Sequence, residues 1–349
     1  MSGGVDSSVA AALLAQQGHE VIGLSMQLYD QSGRNGQTFG TCCTIDDLHD
    51  ARRVAARIGF PHYIVNFEEQ FTETVVSDFV REYAAGRTPI PCVHCNGDLK
   101  FATLVERAAG FDAAFVATGH YARVERDDST SRYRLLRGMD PGKDQSYFLF
   151  TLTQAQLAHA MFPIGNLDKT AVREYARDLG LSVADKRDSH EICFVPDGDH
   201  TAFLARQGVG RQEGEIRNPA GAVIGRHDGV QRFTVGQRKG LGVSSRIPLY
   251  VVGIDAKENA ITVGPRAALD RHTLTASGVT WIAGAPPARG NRGTAQIRHR
   301  HKEAAATIDP IGSDRVSITF DAPQAAIAPG QALVMYAGDE VLGGGWIDS

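Results

Sequence analysis

The 349-residue sequence lacks any apolar run long enough to cross a membrane, and no signal peptide precedes its N-terminal motif. Internal repeats and low-complexity segments are also lacking. With 42% hydrophobic and 22% charged residues, the composition is typical of a soluble globular protein. We therefore expect a cytoplasmic protein with no membrane partner, built from two or three domains.

The sequence also lacks a strong net charge and an even set of cysteines. A formal net charge of −4 gives no global attraction for nucleic acid, so any RNA site must be a local basic patch. The five cysteines are Cys42, Cys43, Cys92, Cys95 and Cys193. An odd number without an export signal indicates reactive or metal-binding thiols rather than a structural disulfide framework.

The most informative run is SGGVDSS at residues 2–8, followed by a helical pattern from Val9 to Gln17. Its glycines allow backbone N–H groups to surround an anion, and the helix adds its positive N-terminal end. The serines can add donors, and Asp6 could hold Mg²⁺ beside the phosphates. Because no lysine follows, this is not a Gly-Lys-Ser/Thr phosphate loop. The run resembles the pyrophosphate loop of ATP pyrophosphatases.

A loop of this kind normally follows a buried strand, because ligands of open α/β sheets lie beyond the carboxyl ends of strands. Only Met1 precedes the loop in this sequence. We therefore expect a short apolar first strand to be encoded upstream of the sequence as given.

The first half of the chain alternates predicted strands and helices. Thr44 reads as an N-cap with Asp47 at the capping-box position, and the helix that follows ends before Gly59. Such alternation favours an α/β domain with a parallel sheet and right-handed crossovers. The predicted strands are 20–28, 62–67 and 111–118, and further helices are predicted at 71–86, at 99–109 and within 151–179.

After about residue 205 glycines become dense and short β-type runs replace the helical pattern. Residues 257–259 read as a hairpin loop, and many short strands with Gly/Pro turns indicate a small barrel. We place the domain boundaries near 200 and 268, giving domains 1–200, 201–268 and 269–349. The predicted strands are 222–224, 231–235, 250–255, 260–263, 278–282, 293–298, 315–320 and 332–336.

Two separated cysteines are candidates for catalysis. Cys95 lies in a proline-stiffened loop before a helix predicted near Leu99, where the positive helix end favours a thiolate. Cys193 lies in a short apolar run that ends at Pro196. Two such thiols in an enzyme with an ATP site favour a sulfur relay, in which one cysteine carries a persulfide and the other cleaves it.

Other interpretations of the cysteines stay open. Lone intracellular cysteines are often inert small hydrophobic residues, which applies to Cys42, Cys43 and Cys193. Cys92 and Cys95 have half of a zinc-site spacing, and Cys42 and Cys43 could complete it, although adjacent cysteines rarely both bind one zinc ion well.

Three further segments carry candidate binding residues. Gly119 follows a predicted strand at the sheet edge where nucleotide contacts are expected, and it would allow close approach of the backbone. The run 142–148 combines a cation, a carboxylate and an amide. Residues 292–302 hold four Lys or Arg residues and no acidic residue, so this stretch could contact RNA phosphates or be a solvated strand face.

Together these motifs make the chain resemble the bacterial and organellar tRNA 2-thiouridylases over nearly its whole length. The loop motif is shared by many ATP pyrophosphatases, whereas the two cysteine motifs together are specific to this family. The motifs that carry the resemblance are SGGVDSS at 2–8, GRTP at 86–89, CN at 95–96, ATGHYAR at 117–123, KDQSYFL at 143–149, ICFV at 192–195, FTVGQRKGLG at 233–242 and PGQ at 329–331.

The resemblance implies an adenine-nucleotide α-hydrolase-like (Rossmann-like) domain, a small central β-rich domain and a C-terminal β-barrel. It implies that Mg-ATP adenylates the C2 oxygen of the tRNA wobble uridine and releases pyrophosphate. A persulfide on Cys193 then delivers sulfur to C2, directly or as sulfide freed by Cys95, with a Cys95–Cys193 disulfide. The implied partners are tRNA and an upstream sulfur-relay protein or cysteine desulfurase, with no stable metal.

The resemblance also assigns residues to ligands. The implied ATP contacts are Met1, Ser2, Gly3, Gly4, Val5, Asp6, Ser7, Met26 and Gly119. The residues implied to lie near the target base are Ile90, Pro91, Cys92 and His120. The other implied tRNA contacts are Lys143, Asp144, Gln145, Arg298, His299 and Gln331.

One departure from the family pattern is Cys92, which stands where some relatives have an acidic residue, so an extra thiol could compete for the disulfide. Three alternatives remain. An ATP-pyrophosphatase ligase that transfers ammonia would need no paired thiols. A non-catalytic RNA-binding protein could hold zinc through its cysteines. An iron–sulfur-dependent thiolation enzyme is the third.

Overall fold

The computed structural model describes residues 1–29, 44–188, 192–195 and 198–348. They divide into two units. The first unit contains Met1–Val75, Cys92–Asp199 and Asp339–Val341, and the second contains Val76–Pro91, His200–Gly338 and Leu342–Ser349. Within the described ranges, no helix is long and apolar enough to cross a membrane.

The Gly-rich run leads directly into α1 (Val5–Gln16), so the helix begins four residues earlier than its apolar pattern indicates. Strand β1 (Gly23–Gln27) pairs in parallel with β2 (His62–Asn66), and α2 (Ile45–Ile58) lies between them in sequence. The predicted capping box of α2 is confirmed, since Thr44 and Asp47 bond each other's backbone N–H groups. Gly59 ends α2 in the left-handed conformation, with φ +100°.

A long helical stretch follows in pieces. It comprises α3 (Glu68–Phe71), a π-helical segment (Thr72–Val76) and α4 (Ser77–Ala84). Next come α5 (Pro91–His94), a second π-helical segment (Cys95–Phe101) and α6 (Ala102–Gly110). The helix predicted to begin near Leu99 therefore begins at Pro91. Proline suits a first helical position because its fixed φ is already helical and its missing N–H is not needed there.

Two predictions in the middle of the chain are wrong in detail. The strand predicted at 111–118 is only β3 (Val116–Ala117), because Asp112 turns the chain with φ +52°. An antiparallel hairpin follows, formed by β4 (Ala122–Asp127) and β5 (Arg132–Arg137). The helix predicted within 151–179 is divided into α7 (Gln154–Ala158), β6 (Ala160–Met161) and α8 (Lys169–Asp178), because Pro163 and Gly165 interrupt it.

The core of the first unit brings these elements together. Strand β6 pairs in parallel with β3, and α1 contacts α8 and α2. The hydrophobic cluster at this position is lined by Val5, Val9, Ala10, Val54, Tyr121, Ile164, Val172, Ala176, Leu181, Val183 and Ala184. The start of α1 is therefore fixed by packing on two helices.

The second unit begins with α4 packed on α9 (His200–Arg206), where the rings of Phe79 and Phe203 lie 5.9 Å apart. Strands β7 (Gly214–Arg217), β8 (Val223–His227), β9 (Tyr250–Asp255) and β10 (Ala260–Gly264) form one sheet in the order β8-β7-β10-β9. The strand predicted at 231–235 is wrong, because residues 230–232 form a 3₁₀ turn. In a 3₁₀ turn, side chains three residues apart point to the same side, so Val230 and Phe233 both enter the core of this sheet.

Residues 270–347, all within the described part of the chain, form a closed antiparallel barrel of six strands. The strand order is β11-β14-β13-β12-β15-β16, and β11 closes the barrel by pairing with β16. The predicted barrel is confirmed, although the sequence patterns did not indicate β13 or β16. The strands are β11 (Asp270–Trp281), β12 (Asn291–Gln296), β13 (Ala304–Ile311), β14 (Arg315–Ala325), β15 (Ala332–Ala337) and β16 (Glu340–Ile347).

Gly165 offers a test of packing in the first unit. A Cβ atom at this position would come within 1.8 Å of the carbonyl oxygen of Ala122, at the start of β4. We expect Gly165→Ala to lower the free energy of unfolding by about 1–3 kcal/mol, as overpacked sites do, in chemical denaturation. Gly110→Ala is the matched control, because a Cβ atom there meets nothing within 4 Å. Equal effects of the two changes would contradict this account.

Candidate active site

The Gly-rich loop at residues 2–8 leads into the N-terminus of α1, where an anion site is predicted. Gly3 has φ +70°, and Gly4 is the N-cap without a side chain that caps the helix. The serines hold the loop itself: the Ser2 N–H donates to Ser7 Oγ at 3.1 Å, and Ser8 Oγ donates to the Gly4 carbonyl at 2.8 Å. The N-terminal N–H groups of α1 are therefore available to an anion such as a phosphate.

Two glycines allow backbone segments to meet at this loop. A Cβ atom on Gly3 would lie 2.1 Å from the Asp47 carbonyl oxygen, and one on Gly119 would lie 2.5 Å from the Ser7 nitrogen. Gly119 was predicted to allow close approach to the nucleotide. In the structure it approaches the backbone of the loop itself, which places the turn after β3 against the first turn of α1.

Two other predicted ATP contacts lie at β1. The N-terminal amine of Met1 donates to the Leu24 carbonyl, and Ser25 Oγ donates to the Met1 carbonyl at 2.6 Å. Met26 is buried on the same strand. Met1 therefore lies beside the strand that carries Met26, which keeps both residues near the loop.

Asp6 is the centre of an ion network that the sequence did not predict. Lys169 Nζ lies 2.7 and 2.9 Å from its two carboxylate oxygens, and the Tyr121 hydroxyl donates to it at 2.8 Å. Lys169 also lies 2.8 Å from Asp188, which accepts from Lys143 at 2.8 Å. Burial alone would raise the pKa of Asp188, but the two lysines lower it to about 2. Any Mg²⁺ held by Asp6 must therefore compete with Lys169.

A second lysine lies at the glycines of the loop. Lys186 Nζ donates to the Gly3 carbonyl at 3.0 Å, and to Asp47 and Asp50 at 2.5 Å each. Burial lowers the pKa of Lys186, and its bonds to both carboxylates raise it above the usual value overall. The motif itself contains no lysine. Lys169 and Lys186, which lie more than a hundred residues further along the chain, both contact the loop.

The segment around Cys95 differs from its prediction. Cys95 was expected just before a helix, but it is buried at 8% exposure and begins a π-helical turn one turn after the helix start at Pro91. Cys92 is exposed and lies in the first turn of that helix. The positive helix end is therefore nearer to Cys92 than to Cys95, and Cys95 is buried.

The two candidate catalytic cysteines belong to segments that pack on one short helix. Cys193 is partly exposed, and its neighbour Phe194 packs edge-on against Phe71 of α3, with ring centres 5.6 Å apart. The same helix contacts the π-helical segment that begins at Cys95. The fold thus brings the two cysteine motifs to a common neighbour, although they are far apart in sequence.

The zinc hypothesis required Cys42 and Cys43, which lie outside the described residues. Within residues 1–29, 44–188, 192–195 and 198–348, no group of three His, Cys, Asp or Glu side chains is arranged to hold a metal ion.

His120 was predicted to lie near the target base. Its Nδ1 is 2.8 Å from the Thr118 hydroxyl, and its ring lies edge-on to Phe162 at 6.1 Å. Burial, with a smaller effect from the Lys100 charge, lowers the pKa of His120 from 6.5 to about 3. The ring is therefore neutral near pH 7 and can offer a hydrogen bond but no positive charge.

The predicted tRNA contacts at 143–145 all have bonds within the protein. Lys143 pairs with Asp188, as described above. Asp144 accepts the N–H of Gly138 at 3.0 Å, and the Gln145 side chain accepts the Tyr121 N–H at 3.0 Å. Asp144 and Gln145 therefore shape the turn that carries Lys143, and Lys143 is the member of the three whose charge can reach a phosphate.

In the second unit, Gln331 holds the segment before the predicted base contacts. Its Nε2 donates to the Thr88 carbonyl at 2.9 Å, and the Thr88 N–H donates to the Pro329 carbonyl at 2.8 Å. Ile90 and Pro91 are buried. Gln331 was predicted to contact tRNA, but its amide nitrogen is engaged in fixing residues 88–89.

The basic patch at 292–302 is smaller than its sequence indicates. Arg292 forms two bonds to Asp321, at 2.9 and 2.6 Å, so its charge is neutralised by a carboxylate from β14. Its pKa is raised by this hydrogen-bonded pairing. Arg298 is partly exposed and His299 is exposed, on the loop between β12 and β13. In the part of the chain that the structure describes, the other three cations, Arg298, Arg300 and Lys302, form no ion pair with a carboxylate.

Comparison with known proteins now decides the family. Residues 1–197 match the family model described as the tRNA methyl transferase HUP domain, residues 201–265 its PRC-barrel domain, and residues 271–347 the aminomethyltransferase beta-barrel domain. The tRNA-specific 2-thiouridylases of Geobacter metallireducens and Geotalea uraniireducens are each 52% identical over 353 residues. These alignments cover 100% of this chain, and 95% and 93% of the relatives.

The chain belongs to the tRNA-specific 2-thiouridylase family. The family resemblance and the three-part fold class inferred from the sequence are thereby confirmed. The relative from Solibacter usitatus is likewise 52% identical, over 362 residues. Roles of single residues in this family site stay predictions, and Lys169 and Lys186 join the residues to be tested.

The pKa of His120 leads to a stability test. The unfolded ring takes up a proton near pH 6.5, whereas the folded ring stays neutral down to about pH 3. Between pH 6.5 and about pH 3 the unfolded state therefore binds more protons than the folded state. The contribution of His120 to the free energy of unfolding is largest above pH 6.5 and decreases as the pH falls below that value. Chemical denaturation at about pH 7.5 and about pH 5.5 measures the free energy of unfolding of the wild type and of His120→Asn. We expect the wild type to exceed the variant by a smaller margin at the lower pH. A constant or growing advantage would contradict the low pKa.

Proposed function

We propose that this protein forms 2-thiouridine in tRNA, using ATP to activate the wobble uridine and a persulfide as the sulfur source. The observation that carries the proposal is the open, glycine-bounded N-terminus of α1, flanked by two lysines. It is supported by the name shared by relatives that are 52% identical over the whole chain.

The ATP half of the reaction takes place at the loop. The C2 oxygen of uridine attacks the α-phosphorus of Mg-ATP, and the bond to pyrophosphate breaks. The N–H groups at the start of α1 bind the leaving phosphates, because a helix N-terminus favours negative charge. Lys169 and Lys186 offset that charge, in the place of the lysine that other phosphate loops carry within the motif.

The sulfur half uses the two cysteine segments that share α3. The terminal sulfur of a persulfide on Cys193 attacks C2 directly, or Cys95 first releases it as sulfide, and AMP leaves with the C2 oxygen. In either order, the thiolate of Cys95 attacks the inner sulfur on Cys193. A Cys95–Cys193 disulfide results, which a thiol reductant must reopen before the next turnover.

Reconstitution tests this function. The protein is incubated anaerobically with unmodified tRNA, Mg-ATP and a persulfide donor, and the nucleosides are identified by mass spectrometry. We expect thiouridine from the parent, and losses of at least about a hundredfold in Cys95→Ser and Cys193→Ser, as for removal of a catalytic nucleophile. Pyrophosphate should still form in both variants, because adenylation does not need the thiols.

Two results would contradict the proposal. Pyrophosphate without thiouridine, with parent and variants alike, would favour an ATP-dependent ligase. A methylated nucleoside would favour the activity in the name of the matching family model, and mass spectrometry separates it from a thiolated one. The sulfur-donor protein, whether a relay protein or a desulfurase, is identified afterwards by replacing the chemical donor.

Lys169 offers a separate test of the ATP half. Without it, Asp6 and Asp188 face the phosphates with less neutralisation. We expect Lys169→Met to raise the KM for ATP in pyrophosphate release by about tenfold or more, the range of a lost charge-assisted hydrogen bond. Lys257→Met, at the exposed tip of the β9–β10 hairpin, is the control. A variant that melts earlier but keeps its KM would show that Lys169 only stabilises the fold.

A further inference from the structure

The strongest unassigned feature is the loop Arg238–Arg246 of the second unit, here called the basic loop. It includes the whole second half, RKGLG, of the FTVGQRKGLG motif, for which the proposed function gives no role. Its sequence, RKGLGVSSR, contains three cations and no carboxylate. It follows the 3₁₀ turn at residues 230–232 and precedes β9.

The base of the basic loop is firmly held. The Gly236 N–H donates to the Val251 carbonyl at 2.8 Å, and the Val251 N–H donates to the Gln237 carbonyl at 2.9 Å. Gln237 Nε2 donates to the Lys239 carbonyl at 3.0 Å. Leu241, in the middle of the loop, is buried in the core of this sheet. The loop therefore presents its charges from a fixed support.

The cations of the basic loop are exposed and have no ionic partner. Arg238, Lys239 and Arg246 make no hydrogen bond or ion pair through their side chains within the described part of the chain. Nearby cations differ, since Arg217 pairs with Glu215 at 2.8 Å and Arg232 pairs with Asp228 at 3.0 Å. The cations of the basic loop thus differ from Arg217 and Arg232, which each have a carboxylate partner.

The backbone of the basic loop adds donors. Gly240 and Gly242 have φ +76° and +68°, the left-handed region in which neighbouring N–H groups can face a common anion. Among the described residues, no N–H group from 238 to 246 donates a hydrogen bond. An open groove of about 540 Å³ follows the loop, lined by Arg238, Gly240, Gly242, Ser244, Ile247 and Pro248.

The segment just before the basic loop contacts the segment that precedes Ile90 in the same unit. Thr234, four residues before Arg238, lies with its hydroxyl 3.2 Å from that of Thr88. Thr88 is in turn held by Gln331 and lies two residues before Ile90, a predicted neighbour of the base. Within the second unit, the basic loop is therefore linked through Thr234 and Thr88 to the segment that carries the predicted base contact Ile90.

We propose that the basic loop binds backbone phosphates of the tRNA strand beside the nucleotide that is modified. Exposed cationic side chains and backbone N–H groups without partners are suited to bind phosphate oxygens. Such contacts do not depend on the base sequence of the RNA. The single-stranded part of a tRNA loop supplies such phosphates next to an accessible base. The inference rests on the proposed function, because it requires tRNA as the substrate.

The experiment uses the full-length protein with Arg238, Lys239 and Arg246 all changed to Ala. Binding of unmodified tRNA is measured by filter binding over a range of salt concentrations. We expect about tenfold weaker binding or more at moderate salt. The slope of log affinity against log salt should become shallower by about 2, at ~0.7 for each lost contact with single-stranded RNA. The control changes three exposed cations elsewhere in the unit, Arg211, Lys257 and Arg271, to Ala.

The outcomes separate this inference from the proposed function. If the parent and control bind and thiolate tRNA, and the triple variant has the same affinity and slope, the basic loop does not contact RNA. A variant that binds tRNA normally but no longer accepts sulfur from a donor protein would also overturn the inference, since the loop would then be a protein-docking surface. If the parent neither binds nor thiolates tRNA, the proposed function itself is wrong.

Discussion

The candidate active site depends on backbone segments that come too close for side chains to fit between them. Gly3 lies against the carbonyl of Asp47 in α2, and Gly119 lies against the nitrogen of Ser7 in α1. Any larger residue at either position must move a helix or the turn after β3. The start of α1 is thereby fixed between two neighbours, and its N–H groups stay aligned without a capping side chain. This rigidity suits the phosphate site that we propose here.

Charged side chains add to the backbone contacts at the loop. The loop motif has no lysine of its own, and the fold supplies Lys169 to its carboxylate and Lys186 to its first glycine carbonyl. Both lysines have carboxylate partners within the protein, so their charges are offset inside the fold. Lys169 also links the loop to Asp188, in the later part of the first unit.

Local capping and turn signals in the sequence were reliable, whereas strand lengths and contacts between distant residues were not. The capping box of Thr44, the end of α2 at Gly59 and the β9–β10 hairpin depend on neighbouring residues, and all three are correctly predicted. The start of the Cys95 helix was misplaced because a proline-rich run reads as a loop, although Pro91 is an ordinary first helical residue. Lys169, Lys186 and the pairing of Arg292 with Asp321 could not be found, since each contact joins residues that only the tertiary fold brings together. The family itself was recognisable because its motifs are contiguous runs.

The central claim is that ATP activates the uridine through its C2 oxygen, which then leaves with AMP. The most direct measurement uses tRNA whose wobble uridine carries a heavy oxygen isotope at C2, followed by mass spectrometry of the AMP released. The account predicts one heavy oxygen in the AMP for each thiouridine formed. Unlabelled AMP beside thiouridine would contradict it, because the oxygen would then have left C2 by a route that does not pass through ATP.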